Sequence, residues 1–242
     1  MTKHRVVPME VSRCVMDKAH MMYFYGMGEK VVNPQMAWYI EGPNEHILVD
    51  TAFSMEAGNE CGFQMTHVKS IEENLKEKLG LTPDDIDIVL YTHLHLDHCS
   101  NSGLFKNARH IVQEVELNAA FSTHPMSKRF FYVPELIRGI EFETIKGDTE
   151  IVEGVTVMLN PGHTPGSQSI VVDTQKGKAV ITAMCARAEN FQPADKWPEG
   201  FVIPGIFTDP VALYDSMMRI MEVADIIVPS HLSQAEAEKR LW

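Results

Sequence analysis

Three histidines and an aspartate fall within six consecutive positions of this 242-residue chain, as His93, His95, Asp97 and His98 of an HxHxDH motif. Imidazole and carboxylate groups are the ligands that zinc and its first-row neighbours take in proteins. The competing interpretation is a solvated histidine-rich loop, but this spacing is rare by chance even in a chain with 11 His. We therefore predict that these four side chains bind metal.

The motif directly follows the apolar run 86–91, which has the pattern of a buried β-strand. His163 and His231 repeat this arrangement, because each follows an apolar run on a turn rich in Pro, Gly or Ser. Sites are usually built on loops at strand ends, so these histidines should meet at one edge of a sandwich of sheets. Asp50 ends a further predicted strand and should lie beside the same loop.

Alternation, helical periodicity and turn residues predict the elements that position these groups. Strands are expected at 4–12, 36–50 (a hairpin turning at 41–44), 86–91, 110–112, 150–159 (a hairpin turning at 153–154), 169–173, 179–183 and 226–228. Helices are expected at 67–79 (stopped by Gly80), at 113–120, from Asp209 onward and at the C-terminus, with a capped turn at 82–85. The aromatic stretches 23–25 and 130–132 either wall a pocket or pack in the core. Residues 121–140 should form an irregular helix on the core or a substrate lid.

The formal net charge of −12 argues against nucleic acid and an anionic membrane surface as partners, since both require a basic face. No run is long and apolar enough for a signal peptide or a membrane span, so we expect a cytoplasmic protein. Four cysteines lie far apart without a CxxC pair, which disfavours a disulfide framework. Cys14 and Cys61 are expected to be structural. With 45% hydrophobic residues, the chain can bury a sizeable core.

The HxHxDH motif, a histidine in a PGHTPG turn and a histidine after a late strand together resemble the metallo-β-lactamase superfamily. Within it the chain looks most like the quorum-quenching N-acyl homoserine lactonases, and 4-pyridoxolactonase is a similar relative. Supporting matches are Arg13-Cys14, Trp38-Tyr39, Leu48-Val49-Asp50-Thr51 and Glu189-Asn190-Phe191. The resemblance implies an α+β fold, the four-layer αββα sandwich of two mixed sheets between helices, as a single domain over residues 1–242. By family likeness alone, it also allows a homodimer.

For the site, the resemblance implies two metal ions, zinc before manganese or iron. The residues that would bind them are His93, His95 and His163 for one ion, and Asp97, His98 and His231 for the other. The ions would lower the pKa of a shared water and polarise the substrate carbonyl, so that a metal-bound hydroxide opens a small lactone or a related cyclic ester or amide. Asp97 would also be the catalytic group that gives a proton to the leaving alkoxide, and Asp50 would orient a ligand histidine.

The family pattern breaks in the segment 180–187, which contains no carboxylate where such lactonases have an aspartate that bridges both metals. Ungapped matching puts Ala183 at that aspartate and Ala186 at a tyrosine that assists at the substrate carbonyl. In a strand Cys185 would share a face with Ala183. Cys185 is then either a ligand of the second metal or a small buried hydrophobe, and both interpretations stay open. Cys99 is expected to pack behind the loop.

Two other functions remain compatible with these residues. The same site could hydrolyse a thioester or a β-lactam instead of a lactone. Alternatively, the protein could bind metal without hydrolysis, since the bridging aspartate and the tyrosine are missing. In each case the expected partner is a small molecule.

Overall fold

The computed structural model describes residues 2–122, 124–125, 131–192 and 201–242. The strands in these ranges are β1 (Arg5–Asp17), β2 (Lys30–Glu41), β3 (His46–Val49), β4 (Thr66–His67), β5 (Ile88–Leu90), β6 (Arg109–Gln113), β7 (Phe142–Ile145), β8 (Thr149–Val152), β9 (Val155–Leu159), β10 (Gln168–Thr174), β11 (Gly177–Ile181) and β12 (Ile226–Val228). The α-helices are α1 (Met55–Glu60), α2 (Ile71–Leu79), α3 (Leu96–Cys99), α4 (Glu114–Phe121), α5 (Pro210–Val223) and α6 (Gln234–Leu241).

The strands form two mixed sheets. A seven-stranded sheet has the order β4-β1-β2-β3-β5-β6-β7, in which the pairs from β3 to β7 are parallel and the others antiparallel. A five-stranded sheet has the order β12-β11-β10-β9-β8, with β11 and β12 as its parallel pair. The site histidines follow β5 in the first sheet and β9 and β12 in the second.

Side chains that alternate along the strands divide the interior into layers, because successive residues of a strand point to opposite faces. In β10, Ile170 faces the core between the sheets, whereas Val171 packs with Leu213 and Met217 of α5. The outer face of the first sheet packs against α2 through Leu75 in the same way. Helix, sheet, sheet and helix therefore follow one another, and the predicted four-layer αββα sandwich is confirmed.

Most predicted elements are present, but several boundaries differ. Strands β1 and β2 are longer than the strands predicted at 4–12 and 36–40, since they pair from Arg5 with Glu41 to Asp17 with Lys30. The helix predicted from His67 begins at Ile71, because Thr66 and His67 pair with β1 instead and Ser70 caps the helix. Pairing with an existing strand satisfies backbone groups that a first helical turn would leave free.

The strand predicted to run to Ala183 ends at Ile181, and residues 182–186 are irregular, with bends at 183–185. The alternation that placed Cys185 and Ala183 on one face therefore does not apply to them. Of the aromatic stretch 130–132, residue 130 and much of 121–129 lie outside the described residues. No helix in the described part of the chain combines the length and apolar character needed to cross a membrane.

Candidate metal centre

The HxHxDH segment lies where β3 and β5 end side by side. Val49 and Leu90 are partners in this parallel pair, so the residues that follow them emerge at the same edge of the sheet. The Asp50 amide donates to the Leu90 carbonyl (2.9 Å), and the Thr51 amide donates to the carbonyl of His98 (2.7 Å). These backbone bonds hold the carboxylate of Asp50 under the histidine loop. The prediction that Asp50, at the end of a strand, lies beside this loop is therefore confirmed.

The structure brings the predicted ligands together in two sets. The ligand atoms of His93, His95 and His163 all lie within 4.8 Å of one another, and so do those of Asp97, His98 and His231. We call these the first set and the second set. Each set joins the loop after β5 to one loop of the other sheet, the loop after β9 for the first set and the loop after β12 for the second. The five histidines are buried, whereas the side chain of Asp97 keeps 21% of its surface exposed.

Hydrogen bonds fix the tautomers of two histidines directly. His163 Nδ1 lies 2.7 Å from the Ile206 carbonyl oxygen, and His231 Nδ1 lies 2.9 Å from that of Pro34. A carbonyl oxygen only accepts, so each Nδ1 carries the proton and each Nε2 carries a lone pair. The His231 Nε2 is buried and has no hydrogen-bond partner among the described residues.

The tautomer of His93 follows from a chain of bonds. Thr92 Oγ1 donates to the Asp50 carboxylate (2.7 Å), so it can only accept from His93 Nδ1 (3.0 Å). His93 Nε2 is then unprotonated, and it lies 3.2 Å from His163 Nε2. Two lone pairs at this distance repel each other unless a cation lies between them. The donor set therefore fits a metal ion, which also accounts for the free Nε2 of His231.

The electrostatics of the first set keep its imidazoles neutral. Burial lowers the pKa of His93 and of His95 well below the usual value, and the neighbouring histidines lower it further. Burial also lowers the pKa of His163 to about 4. Neutral imidazole is the form that binds metal, so these ligands are ready at neutral pH without losing protons.

Asp50 organises the second set through three hydrogen bonds. Its carboxylate accepts from the Thr92 amide, the Thr92 hydroxyl and His98 Nδ1, each at 2.7 Å. Burial tends to lower the pKa of His98, but the carboxylates of Asp97 and Asp50 outweigh burial and raise it. Because Asp50 holds the Nδ1 proton, His98 presents Nε2 toward Asp97, whose Oδ2 lies 3.6 Å away.

Sequence reasoning missed Glu116, a fully buried carboxylate on α4. Its Oε1 accepts from the Leu94 amide and the Tyr132 hydroxyl, both at 2.9 Å, and its Oε2 accepts from the Gly166 amide at 3.1 Å. Leu94 lies between the first two histidines of the motif, and Gly166 lies in the PGHTPG turn. One carboxylate thus holds together the two loops that carry the first set.

Two signals in the sequence point to this carboxylate in hindsight. Glu116 lies one helical turn before Ala120, on the face of α4 that is buried, where an acidic residue needs partners. Gly166 has no side chain, and a Cβ there would lie 2.5 Å from the Glu116 backbone nitrogen. Acidic residues are also common in the first turn of a helix, so the pattern alone did not separate this one from a capping residue.

None of the four cysteines forms a disulfide, as their spacing predicted. Cys185 lines the cavity at the two sets, but its sulfur is not among the atoms that converge in either set. Burial raises the pKa of its thiol well above the usual value, and the Asp97 carboxylate adds to this. Cys14 lines the same cavity, and the structural role expected for it stays a prediction. Cys99 packs behind the loop, where its thiol donates to the Leu94 carbonyl (3.6 Å).

The cavity, called the site cavity below, has aromatic and polar walls. Phe131 lies 5.0 Å from the His95 ring, and Phe53 and Phe63 line the cavity as an edge-to-face pair. The polar wall is formed by Asn33 and Gln35 of β2. Residues 23–25 are not among the described residues that line it; Tyr23 packs against Phe207 instead.

Two buried alanines stand at the positions that the resemblance assigned to a bridging aspartate and a tyrosine. Ala183 and Ala186 are both inaccessible to solvent, and Ala186 packs in the apolar layer under α5. The segment that contains these alanines therefore supplies no carboxylate to the second set. The carboxylate of that set is Asp97 of the HxHxDH motif.

Comparison with known proteins places the chain in the family that the motifs indicated. A profile of the metallo-beta-lactamase superfamily matches residues 31–231, so the chain belongs to this superfamily. An N-acyl homoserine lactonase of Bacillus sp is 31% identical over 205 residues, which cover 79% of this chain and 80% of that protein. The lactonase AiiA of Bacillus thuringiensis subsp. kurstaki is 29% identical over 236 residues, which cover 92% and 89%.

A solved structure extends the comparison to three dimensions. An N-acyl homoserine lactone hydrolase, with the product N-hexanoyl-L-homoserine bound at its catalytic metal center, matches with a TM-score of 0.79 and 26% identity. The match covers 100% of this chain and 98% of that one. The predicted fold and the predicted class, a metal-dependent hydrolase of the lactonase type, are confirmed by these relatives.

Proposed function

We propose that this protein hydrolyses N-acyl homoserine lactones or similar small lactones at a centre of two metal ions, an activity that would quench quorum signals. The observation that carries the proposal is the pair of converging ligand sets, with unprotonated Nε2 atoms only 3.2 Å apart beside a cavity. The named activity of the relatives over almost the whole chain supports the substrate class.

The proposed ligands are His93, His95 and His163 for one ion, and Asp97, His98 and His231 for the other. Five imidazoles and one carboxylate favour zinc over manganese or iron, which prefer more oxygen ligands. Cys185 lines the same cavity, and its thiolate is proposed as a further ligand once a metal lowers the pKa of the thiol. When bound, the ions would supply a water of lowered pKa and would polarise the lactone carbonyl.

The protein's own groups have separate tasks in this reaction. Asp97, the most exposed of the proposed ligands, would take a proton from the attacking water and pass it to the ring oxygen, so that the ring oxygen leaves as an alcohol. Asp50 would orient His98. Phe53, Phe63 and Phe131 would exclude bulk water and bind the apolar part of the substrate.

We further propose that residues 1–242 act as one cytoplasmic domain. The family resemblance allows this domain to form a homodimer. Contacts between the chain ends support a single domain, since the Trp242 indole donates to the Val6 carbonyl (3.2 Å).

The deciding experiment measures the metal content and the hydrolysis of N-hexanoyl homoserine lactone together. We expect about two zinc ions per chain, and we expect His93→Ala to lose metal and activity. His67→Ala is the matched control, because His67 is exposed and pairs only with Glu73 (3.9 Å). If the protein hydrolyses thioesters or β-lactams but no lactone, its substrate class is the thioester or β-lactam instead.

A second function, metal binding without hydrolysis, is favoured by Ala183 and Ala186, which leave the centre without a bridging carboxylate or a tyrosine. It would be supported by full metal loading with no turnover of any lactone, thioester or β-lactam. The variant Cys185→Ser tests whether the Cys185 thiolate is a ligand of the second ion. A fall in metal content from two ions per chain toward one would identify it as a ligand.

A further inference from the structure

Three side chains that carry sulfur, Cys14, Met16 and Cys185, line the site cavity, and we call them the sulfur wall. Cys14 and Met16 lie two residues apart on β1, so their side chains share one face of that strand. Cys185 comes from the irregular segment after β11. The proposed hydrolysis uses neither Cys14 nor Met16, so the sulfur wall needs an explanation of its own.

A hydrogen bond to β2 brings the segment that carries Cys185 next to Cys14. Asn33 is the strand partner of Cys14 in the antiparallel pair of β1 and β2. The carbonyl of the residue before it, Val32, accepts from Arg187 Nη1 (3.0 Å). Arg187 follows Cys185 by two residues, so this bond fixes the end of the segment beside the Cys14 position. The two cysteines therefore meet across the cavity although 170 residues separate them in the chain.

The charges of the two thiols act on each other. Burial raises the pKa of Cys14 to about 11 and that of Cys185 well above the usual value, and the Asp97 carboxylate raises both further. The charge of a Cys14 thiolate also raises the pKa of Cys185. Coulomb interactions weaken with distance, so the two sulfurs and this carboxylate lie near one another. Both sulfurs carry a proton at neutral pH, which a cation with high affinity for sulfur displaces.

Amide donors next to Cys14 favour its thiolate form. Gln35 Nε2 donates to Cys14 Sγ (3.5 Å). Asn33 Nδ2 donates to Met16 Sδ (3.1 Å) and lies 3.9 Å from Cys14 Sγ. Donors of this kind stabilise the negative charge that a thiolate carries when it binds a cation. Cys14 thus differs from an inert buried cysteine, which has only apolar neighbours.

Met16 connects the sulfur wall with the protein surface. It lines the site cavity and also a surface groove of about 470 Å³, and Phe63, Phe131 and Ile206 line both as well. The groove therefore adjoins the cavity on the side that carries Met16. This gives a small ion a route to the two cysteines.

We propose that Cys14, Cys185 and Met16 form a binding site for one copper(I) ion, separate from the two histidine sets. Thiolate and thioether sulfurs select copper(I), whereas the imidazoles and the carboxylate of the two sets suit zinc. The sulfur of Cys185 is not among the atoms that converge in either set, which supports a separate site.

Binding exchanges protons for the metal and transfers no electron. One Cu⁺ ion and two thiols give a dithiolate complex with one negative charge, and two protons leave to solvent. Because Cys185 is also proposed as a ligand of the second zinc ion, copper(I) would withdraw that thiolate from the second set. The site needs no substrate, so its test is independent of the proposed lactonase function.

The test adds copper(I) to zinc-loaded protein without oxygen, in competition with bathocuproine disulfonate, a coloured copper(I) chelator. Zinc keeps the histidine sets occupied, so copper uptake reports the sulfur wall. We expect about one copper(I) ion per chain, with an ultraviolet absorption band from thiolate to copper. Cys14→Ser and Cys185→Ser should each lower the affinity by about 100-fold or more, because each removes a ligand rather than a group that orients one. Met16→Leu should lower it less.

Cys61→Ser is the matched control, because Cys61 is not among the described residues that line the site cavity, and this variant should take up copper like the wild type. Melting temperature and zinc content show whether each variant is folded. X-ray absorption at the copper edge of the wild type decides without any variant, and we expect sulfur ligands. A wild type that takes no copper from the chelator, copper bound by nitrogen with release of zinc, or folded Cys14→Ser and Cys185→Ser proteins with unchanged uptake would each overturn the inference.

Discussion

At the scale of single residues, the site depends on which nitrogen of each histidine is left free. Carbonyl oxygens hold the Nδ1 protons of His163 and His231, and the Asp50 carboxylate holds that of His98. Each Nε2 is therefore directed to the metal position before any ion binds. Such preorganisation commonly accounts for one or two orders of magnitude in metal affinity.

Asp50→Asn should weaken the second set. An asparagine at this position replaces one of the two carboxylate oxygens by an NH2 group that cannot accept, so at least one of the three hydrogen bonds from Thr92 and His98 is lost. We expect the affinity of the second ion to fall about 10–100-fold, measured by competition with a chelator of known zinc affinity. Asp84→Asn is the control, because Asp84 is an exposed aspartate in the turn before β5. Two ions of unchanged affinity in Asp50→Asn would contradict the role given to Asp50.

At the scale of elements, strand ends place the ligands and α4 keeps their loops in register. Glu116 bonds to one loop through Leu94 and to the other through Gly166, in addition to the backbone bond from the Gln168 amide to the Thr92 carbonyl (2.8 Å). The residues joined lie 22 and 50 positions from Glu116 along the chain. The first set is therefore assembled by a helix that contributes no ligand.

Glu116→Gln should damage the first set without removing any ligand. The three donors to Glu116 all need acceptors, and a glutamine offers only one oxygen in place of two. We expect a loss of about 1–3 kcal/mol in the free energy of unfolding and weaker binding of one of the two ions, measured by urea denaturation and metal titration. Glu114→Gln is the matched control, because Glu114 is exposed and pairs only at the surface with Lys146 (2.9 Å). Equal stability and equal metal binding of the two variants would contradict the role of Glu116 in joining the two loops.

The PGHTPG turn should tolerate no side chain at its last glycine. A Cβ on Gly166 would lie 2.5 Å from the backbone nitrogen of Glu116, so the turn and α4 would have to separate. Overpacking of this kind costs about 1–3 kcal/mol, and we expect Gly166→Ala to lower the melting temperature and the metal content together. Gly103→Ala is the control, since no atom lies within 4 Å of the position of its Cβ. An unchanged melting temperature in Gly166→Ala would show that α4 can move at no cost.

At the scale of the whole molecule, each ligand set spans both sheets of the sandwich. The loop after β5 belongs to the seven-stranded sheet, whereas His163 and His231 belong to the five-stranded one. An ion in either set therefore ties the two sheets together at one edge. Because the unfolded chain has no such site, metal binding should stabilise the folded state.

Without metal, the folded protein should lose stability as the pH falls below neutrality. The pKa of His163 is about 4 in the folded state and 6.5 ordinarily, so between these values only the unfolded chain takes up its proton. Stability is then full above pH 6.5 and falls by about 3 kcal/mol toward pH 4 from this residue alone. His93 and His95 act in the same direction, whereas His98, whose pKa is raised, opposes them.

Urea denaturation of chelator-treated protein at pH 7.5, 6 and 5 measures this effect. His163→Asn should flatten the dependence, and zinc-loaded protein should be more stable at each pH. Chelated protein with equal stability at pH 7.5 and pH 5 would contradict the burial of neutral imidazoles.

The layered fold and the division of the six ligands into two sets were implied by the family resemblance, whereas the amino-acid sequence by itself determined most strands and helices and the positions of the ligand loops. These depend on local patterns: a period of two along each strand, a helical period along α5, and polar groups directly after apolar runs. The superfamily followed from the same residues, because the ligand spacing of such a site is short and specific.

Tertiary structure decided the rest, because the remaining contacts join residues far apart in the chain. The start of α2 at Ile71 was set by pairing of His67 with Ser12, the tautomer of His231 by a carbonyl 197 positions away, and the loop connection by Glu116. The approach of Cys185 to Cys14 likewise becomes visible only when the segment after β11 is placed beside β2. The hydrogen-bond partner of a buried polar group depends on how the whole molecule packs. A local sequence pattern therefore does not predict that partner.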